Sequence, residues 1–90
     1  MSEQEVFDAL KYRIVVECFG TRRYYSSDNQ LHRDEGPAVE YTNGTKYWYQ
    51  NGLPHRIDGP AIEYKSGHKE WWLNGEELTE AEFNQRVNPL

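Results

Sequence analysis

Two histidine–arginine pairs, His32-Arg33 and His55-Arg56, stand 23 residues apart, and each is followed by an acidic residue and Gly-Pro-Ala. A guanidinium presents a planar fork of donors matched to carboxylate or phosphate, and an imidazole adds a titratable donor or acceptor. One such pair per copy describes a rim that could grip an anion, a nucleotide or a carboxylate-rich partner. The same residues also have a plainer use. Gly-Pro interrupts a strand, the acid pairs with the arginine or accepts turn amides, and the histidine bonds a neighbouring carbonyl. A motif that recurs once per unit serves the unit, so the plainer use leads. Metal chemistry fits poorly, because His32, His55 and His68 lack the short spacings of a ligand set. No nucleophile sits in a recognisable elbow and no glycine-rich loop precedes a helix. The chain therefore reads as non-enzymatic, with no metal and no cofactor.

The other residues suited to recognition are aromatic and acidic. Trp48, Trp71, Trp72, Tyr41, Tyr47, Tyr49 and Tyr64 could stack on bases or sugars, although most are expected in the core. Tyr47, Tyr49 and Trp72 fall on the less apolar side of their strands, interleaved with Glu40, Glu63 and Glu70. Exposed tyrosine and tryptophan favour protein contacts, and acids among them repel phosphates. Glu70, Glu76, Glu77, Glu80 and Glu82 crowd the C-terminal end. Such a run usually complements a helix start; the alternative is an acidic docking surface.

These side chains must be positioned by a repeat. His32–Gly52 returns as His55–Gly75 with twelve of twenty-one positions identical, including Gly44/Gly67, Lys46/Lys69, Trp48/Trp71 and two Asn-Gly pairs. A fixed period near twenty residues signals units that bury their apolar faces by stacking on one another. Asn43-Gly44 and Ser66-Gly67 read as two-residue hairpin turns. That register pairs Val39 with Trp48 and Ile62 with Trp71. It puts Val39, Tyr41 and Trp48 on one apolar face, joined by Ile62, Tyr64, Trp71 and Leu73, with Tyr47, Tyr49 and Trp72 opposite. Gly20–Tyr25 resembles Gly44–Tyr49 without its tryptophan, so the N-terminal third reads as an atypical first copy that caps the stack.

The ends read as helices. Ser2 with Glu5, and Thr79 with Glu82, have capping-box spacing, and Leu78 with Phe83 that of a hydrophobic staple. A helix from about Glu80 to Val87 should close the fold, and a short one over Val6, Phe7 and Leu10 should open it. The expected architecture is mainly β: an antiparallel β-hairpin meander of about six strands with a C-terminal helix. It forms one domain, with a capping unit at 1–31, repeats at 32–54 and 55–77, and a closing helix at 78–90.

Composition narrows the partners. A net charge of −5 argues against nucleic acid and anionic membrane and mildly favours basic partners. Cys18 is the only cysteine, which excludes an internal disulfide and reads as a small buried hydrophobe. No apolar run reaches the length of a membrane span, and Met-Ser-Glu-Gln-Glu is not a signal-peptide start. A cytoplasmic protein is expected.

With these motifs, residues 30–83 resemble a MORN-like repeat family of bacterial and phage proteins. Its copies read His-Arg-x-Asp-Gly-Pro-Ala, an aromatic, Gly, Lys-x-Trp-Trp and Asn-Gly, closing on Leu-Thr-Glu-x-Glu-Phe. Glu35, Ile57 and Tyr49 depart from that pattern. The resemblance implies a hairpin meander without catalytic apparatus, and small accessory or antitoxin-like proteins. The reading is a non-enzymatic protein-binding module, a phage-encoded inhibitor of a bacterial defence system (anti-CRISPR or another anti-defence type) docking on a host protein with a basic surface. Its expected contact residues are Tyr47, Tyr49, Glu70, Trp72, Glu76 and Glu77. The alternative is a nucleotide- or sugar-binding protein using His32, Arg33, His55 and Arg56. A homo-oligomer stays open.

Overall fold

The computed structural model describes residues 2–89. Nine short strands lie between two helices: α1 (Glu3–Lys11), β1 (Arg13–Val16), β2 (Arg22–Tyr25), β3 (Val39–Glu40), β4 (Lys46–Tyr47), β5 (Tyr49–Gln50), β6 (Leu53–Pro54), β7 (Ile62–Glu63), β8 (Lys69–Leu73), β9 (Glu76–Leu78) and α2 (Glu80–Val87). Seven of them form an antiparallel sheet in the order β1-β2-β3-β4-β7-β8-β9, and β5-β6 is a separate hairpin inserted between β4 and β7. The mainly-β meander with a closing helix is as the sequence predicts, with more and shorter strands because β4 and β5 are broken apart at Trp48. Both capping boxes form: Ser2 and Glu5, and Thr79 and Glu82, each exchange side-chain and backbone bonds.

The hairpin register differs from expectation. Val39 pairs with Tyr47 and Glu40 with Lys46, while Ile62 pairs with Glu70 and Glu63 with Lys69. The loops are thus three residues long, 42–44 and 65–67, with Gly44 at φ +98° and Gly67 at +95°. A type I turn followed by a left-handed glycine closes such a loop. Gly20 at φ +91° takes the same conformation at the third loop position between β1 and β2. One extra loop residue moves every side chain of the return strand to the other face. Trp48 and Trp71 therefore leave the Val39/Ile62 face, and Tyr47 and Trp72 join it. Neither Trp48 nor Trp71 is fully buried, as the two-residue turn required; both are half-buried.

On the face that Trp48 and Trp71 occupy, opposite charges alternate across five strands: Arg22, Glu40, Lys46, Glu63 and Lys69. Over it lies a second layer. Arg33 stacks 4.0 Å from the Tyr24 ring and Arg56 3.8 Å from the Trp48 ring. Each arginine donates through Nη1 to the proline carbonyl of its own Gly-Pro, Pro37 and Pro60 at 3.2 and 3.0 Å. The glycine leaves room for this sandwich, since a Cβ at Gly59 would sit 3.0 Å from the Arg56 Cζ and crowd the guanidinium. Under these loops Ala38 and Ala61 are fully buried. The histidines complete the unit: Nδ1 of His32 and His55 accepts from the backbone N–H of Asn51 and Asn74, both in left-handed turns.

The helices continue the second layer at either end. α1 contributes Asp8, 3 % exposed, which accepts from Arg33 Nη2 at 2.8 Å. Tyr12 meets the Tyr24 ring edge-on at 6.0 Å. α2 packs on β8 and β9, with Phe83 and Leu78 buried beside Trp71, the aromatic that has no arginine above it. α1 turns a polar residue inward, so Val6, Phe7 and Leu10, which the helical spacing marked as its apolar face, stand exposed. Cys18 is likewise exposed, because it falls in the β1–β2 loop rather than in a buried strand. No helix among the described residues is long and apolar enough to cross a membrane.

Candidate functional site

Among the described residues, no helix packs on the sheet face opposite α1 and α2. Alternation places Val39, Tyr41, Tyr47, Ile62, Tyr64, Glu70 and Trp72 on it, and the strand pairs bring them into rows. Val39 and Ile62 are buried, each paired with Tyr47 across its neighbouring strand. Tyr47 is the hub, edge-on to Tyr41 at 5.3 Å and to Tyr64 at 6.3 Å, and stacked on Tyr49 at 6.3 Å. Glu70 binds this cluster together, accepting from Trp72 Nε1 at 2.9 Å and from the Tyr64 hydroxyl at 3.3 Å. His68 lies 5.5 Å from the Tyr64 ring and 3.6 Å from Glu70. Glu77 pairs with Trp72 across β8–β9 and shares the face.

Of the six expected contact residues, Tyr47, Tyr49, Glu70, Trp72 and Glu77 are brought together. Glu76 is not. It pairs with Leu73, points to the helix side and is held by Arg86 at 3.1 and 3.2 Å. Tyr41, Tyr64 and His68 belong to the cluster but were missed, the tyrosines because the two-residue turn assigned them to a buried core. The glycine at the third loop position, rather than the second, was the signal available for the correct register.

The His-Arg rim is differently placed. Arg33, Trp48, Gln50, His55 and Arg56 line an open cleft of about 520 Å³ between the two Gly-Pro loops. Their polar atoms are largely engaged: Arg56 with Asp58 and Glu63 at 2.8 and 3.1 Å, Arg33 with Asp8, and His32 with Asp34 at 3.0 Å. Asp34, Glu35 and Asp58 also line the cleft, so an incoming anion meets carboxylates beside each guanidinium. Arg33 Nε is the one buried side-chain nitrogen or oxygen without a hydrogen-bond partner among the described residues. No group of three or more His, Cys, Asp or Glu side chains among those residues is arranged to hold a metal ion.

Burial raises the phenol pKa of Tyr47, Tyr49 and Tyr64 above the ordinary 10.0, because the charged form loses hydration. A group whose folded pKa exceeds its unfolded value as an acid favours the fold while neutral. That stabilisation is present below pH 10 and is lost as pH rises through the folded pKa. Tyrosinate absorbance should therefore appear at higher pH in the folded protein than in the urea-unfolded chain, with stability falling above pH 10. Coincident titration curves would mean that the rings are fully hydrated and the face is not a packed cluster.

Comparison with family models, with curated proteins and with solved structures finds no match to this chain.

Proposed function

We propose that the chain is a non-enzymatic protein-binding module that docks through its uncovered aromatic face, Tyr41, Tyr47, Tyr49, Tyr64 and Trp72 with Glu70 and Glu77. The observation that carries this reading is the asymmetry of the sheet: α1, two arginine loops and α2 lie on one side, and among the described residues no helix packs on the other. Tyrosine and tryptophan supply large contact area at low entropic cost and are enriched where proteins bind tightly. Carboxylates at Glu70 and Glu77, on a chain of net charge −5, suit a partner that brings lysine or arginine to the rings, where cation–π contact adds to charge attraction. The finer reading, a phage-encoded inhibitor of a bacterial defence system, rests on the resemblance of the His-Arg-x-[Asp/Glu]-Gly-Pro-Ala units alone. A nucleotide- or sugar-binding role through His32, Arg33, His55 and Arg56 draws less support, because those side chains are engaged in holding the units together.

The test uses the folded chain as bait in bacterial lysate, with the captured protein then titrated against variants. Tyr47→Ala combined with Glu77→Lys should weaken binding at least about 100-fold, the scale of a lost hot spot, and wild-type association should slow as salt rises. Glu80→Lys, exposed on α2 and away from the aromatic face, is the control of matching charge change. Equal loss from that control, or retention of affinity in the first variant, would remove the aromatic face as the docking surface. Reversing Arg33 and Arg56 is not a usable control, since both hold the fold.

A further inference from the structure

The N-terminal edge of the sheet is unpaired, and its chemistry is self-complementary. β1 is the terminal strand, and among the described residues no strand lies beyond it. Antiparallel ladders alternate between pairs that exchange hydrogen bonds and pairs that do not. Glu17 donates to the Thr21 carbonyl at 2.9 Å, which fixes the phase of β1 against β2. Val15, paired with Arg23, bonds inward like Glu17, so the N–H and C=O groups of Ile14 and Val16 point away from the sheet. Protein sheets normally blunt such an edge with charge, proline or a covering element. Here the outward positions are isoleucine and valine, and Val16 is 56 % exposed.

α1 adds apolar surface on the same side. Lys11 reaches Asp34 at 2.7 Å and Asp8 reaches Arg33 at 2.8 Å, so this flank of the helix faces the body of the protein. At 100° per residue Val6 and Leu10 lie on the flank turned away from it, 43 % and 84 % exposed. A helix that buries an aspartate and exposes a valine and a leucine next to a free strand edge has its apolar partner elsewhere.

We propose that this edge joins two copies of the chain through an antiparallel β1–β1 pairing centred on Val15. In that register the outward groups of Ile14 meet those of Val16 in the second copy, and the reverse, giving four backbone hydrogen bonds. Arg13 falls opposite the second copy's Glu17 at both ends of the pairing, so the charges match by symmetry. A one-residue slip opposes outward-bonding to inward-bonding positions and forfeits these bonds. The two-fold axis stands perpendicular to the sheet, which leaves both α1 helices on one side with Val6 and Leu10 flanking the seam. The opposite edge is a poorer mate: β9 is three residues long and carries Glu76 and Glu77.

Sedimentation equilibrium over about 5 to 500 µM reads the association, since a homodimer's population depends on protomer concentration. The expected mass is twice 10.7 kDa at the upper end. Val16→Pro removes an outward N–H without touching the β1–β2 ladder, and Leu10→Glu charges the helix flank; each should return a folded monomer by circular dichroism. With Cys18→Ser to remove the exposed thiol, Val15→Cys places two thiols across the axis, where directly opposed Cα atoms lie about 4.5 Å apart, within disulfide reach. Mild oxidation should then yield a covalent dimer. A mass of 10.7 kDa throughout, a dimer that survives both Val16→Pro and Leu10→Glu, or association without cross-linking at position 15 would each overturn the proposal. The last outcome would point to β1 pairing with β9 or with another protein's strand.

Discussion

Replacing Asp8 by alanine is expected to cost roughly 3–5 kcal/mol, the usual penalty for stripping a buried ion pair of one partner. The Asp8 side chain is 4 % exposed and that of Arg33 10 %, so solvent cannot take over when the carboxylate goes. Arg33 would keep Pro37 and a distant Glu40 at 3.6 Å, and its guanidinium would be left undercompensated against Tyr24. For a domain of this size that is much of the total stability, and each kcal/mol moves Tm by about 4–8 °C. Asp58 is the internal comparison. It serves Arg56 as Asp8 serves Arg33, yet its side chain is 80 % exposed, and Asp58→Ala should cost no more than about 1 kcal/mol. Thermal or urea melts of the two variants give the contrast directly. Equal losses would mean that α1 does not clamp the first unit.

The second large effect is expected at the other end. Phe83→Ala should cost roughly 3–5 kcal/mol, because Phe83 is 3 % exposed and Leu78 beside it 6 %. Trp71 would lose its cover, and its fluorescence should shift to the red before global unfolding as water reaches the ring. Trp48, under Arg56, should be little changed. A variant within about 1 kcal/mol of wild type would show that α2 is dispensable for closing the sheet.

The ends of this fold were the most legible part of the sequence. Capping-box spacing at Ser2/Glu5 and Thr79/Glu82 states a helix start through local hydrogen bonds, and the C-terminal helix runs over the predicted Glu80–Val87. The repeat gave the meander for the same local reason: loops and turns recur with fixed residue types. Face assignment failed because it depends on a single integer, the loop length. Asn43-Gly44 suits a two-residue turn by composition, yet the chain uses Thr42 as well, and the parity of every return-strand residue reverses. Asp8 was invisible for another reason. Its partner Arg33 is far along the chain, and an aspartate among Val6, Phe7 and Leu10 reads as the wet side of an amphipathic helix. The candidate site was half-read: its acids and tryptophan were found, while Tyr41 and Tyr64 were assigned to the core.

The arginine–aromatic stack has a consequence for how such a chain can change over generations. Arg33 sits on Tyr24, from the preceding unit, and Arg56 on Trp48, so every seam is made by the same handshake between neighbours. A duplicated 23-residue segment would find both its contacts waiting, the arginine finding a ring behind it and its own tryptophan accepting the next arginine. Each added copy contributes two sheet strands, about 9–10 Å of width at the usual strand spacing, and another tyrosine row on the open side. Duplication or loss of one copy could therefore lengthen or shorten the surface in fixed steps, leaving both end caps untouched. The footprint of such a protein is a whole number of units, and fitting a larger target requires copying rather than redesign.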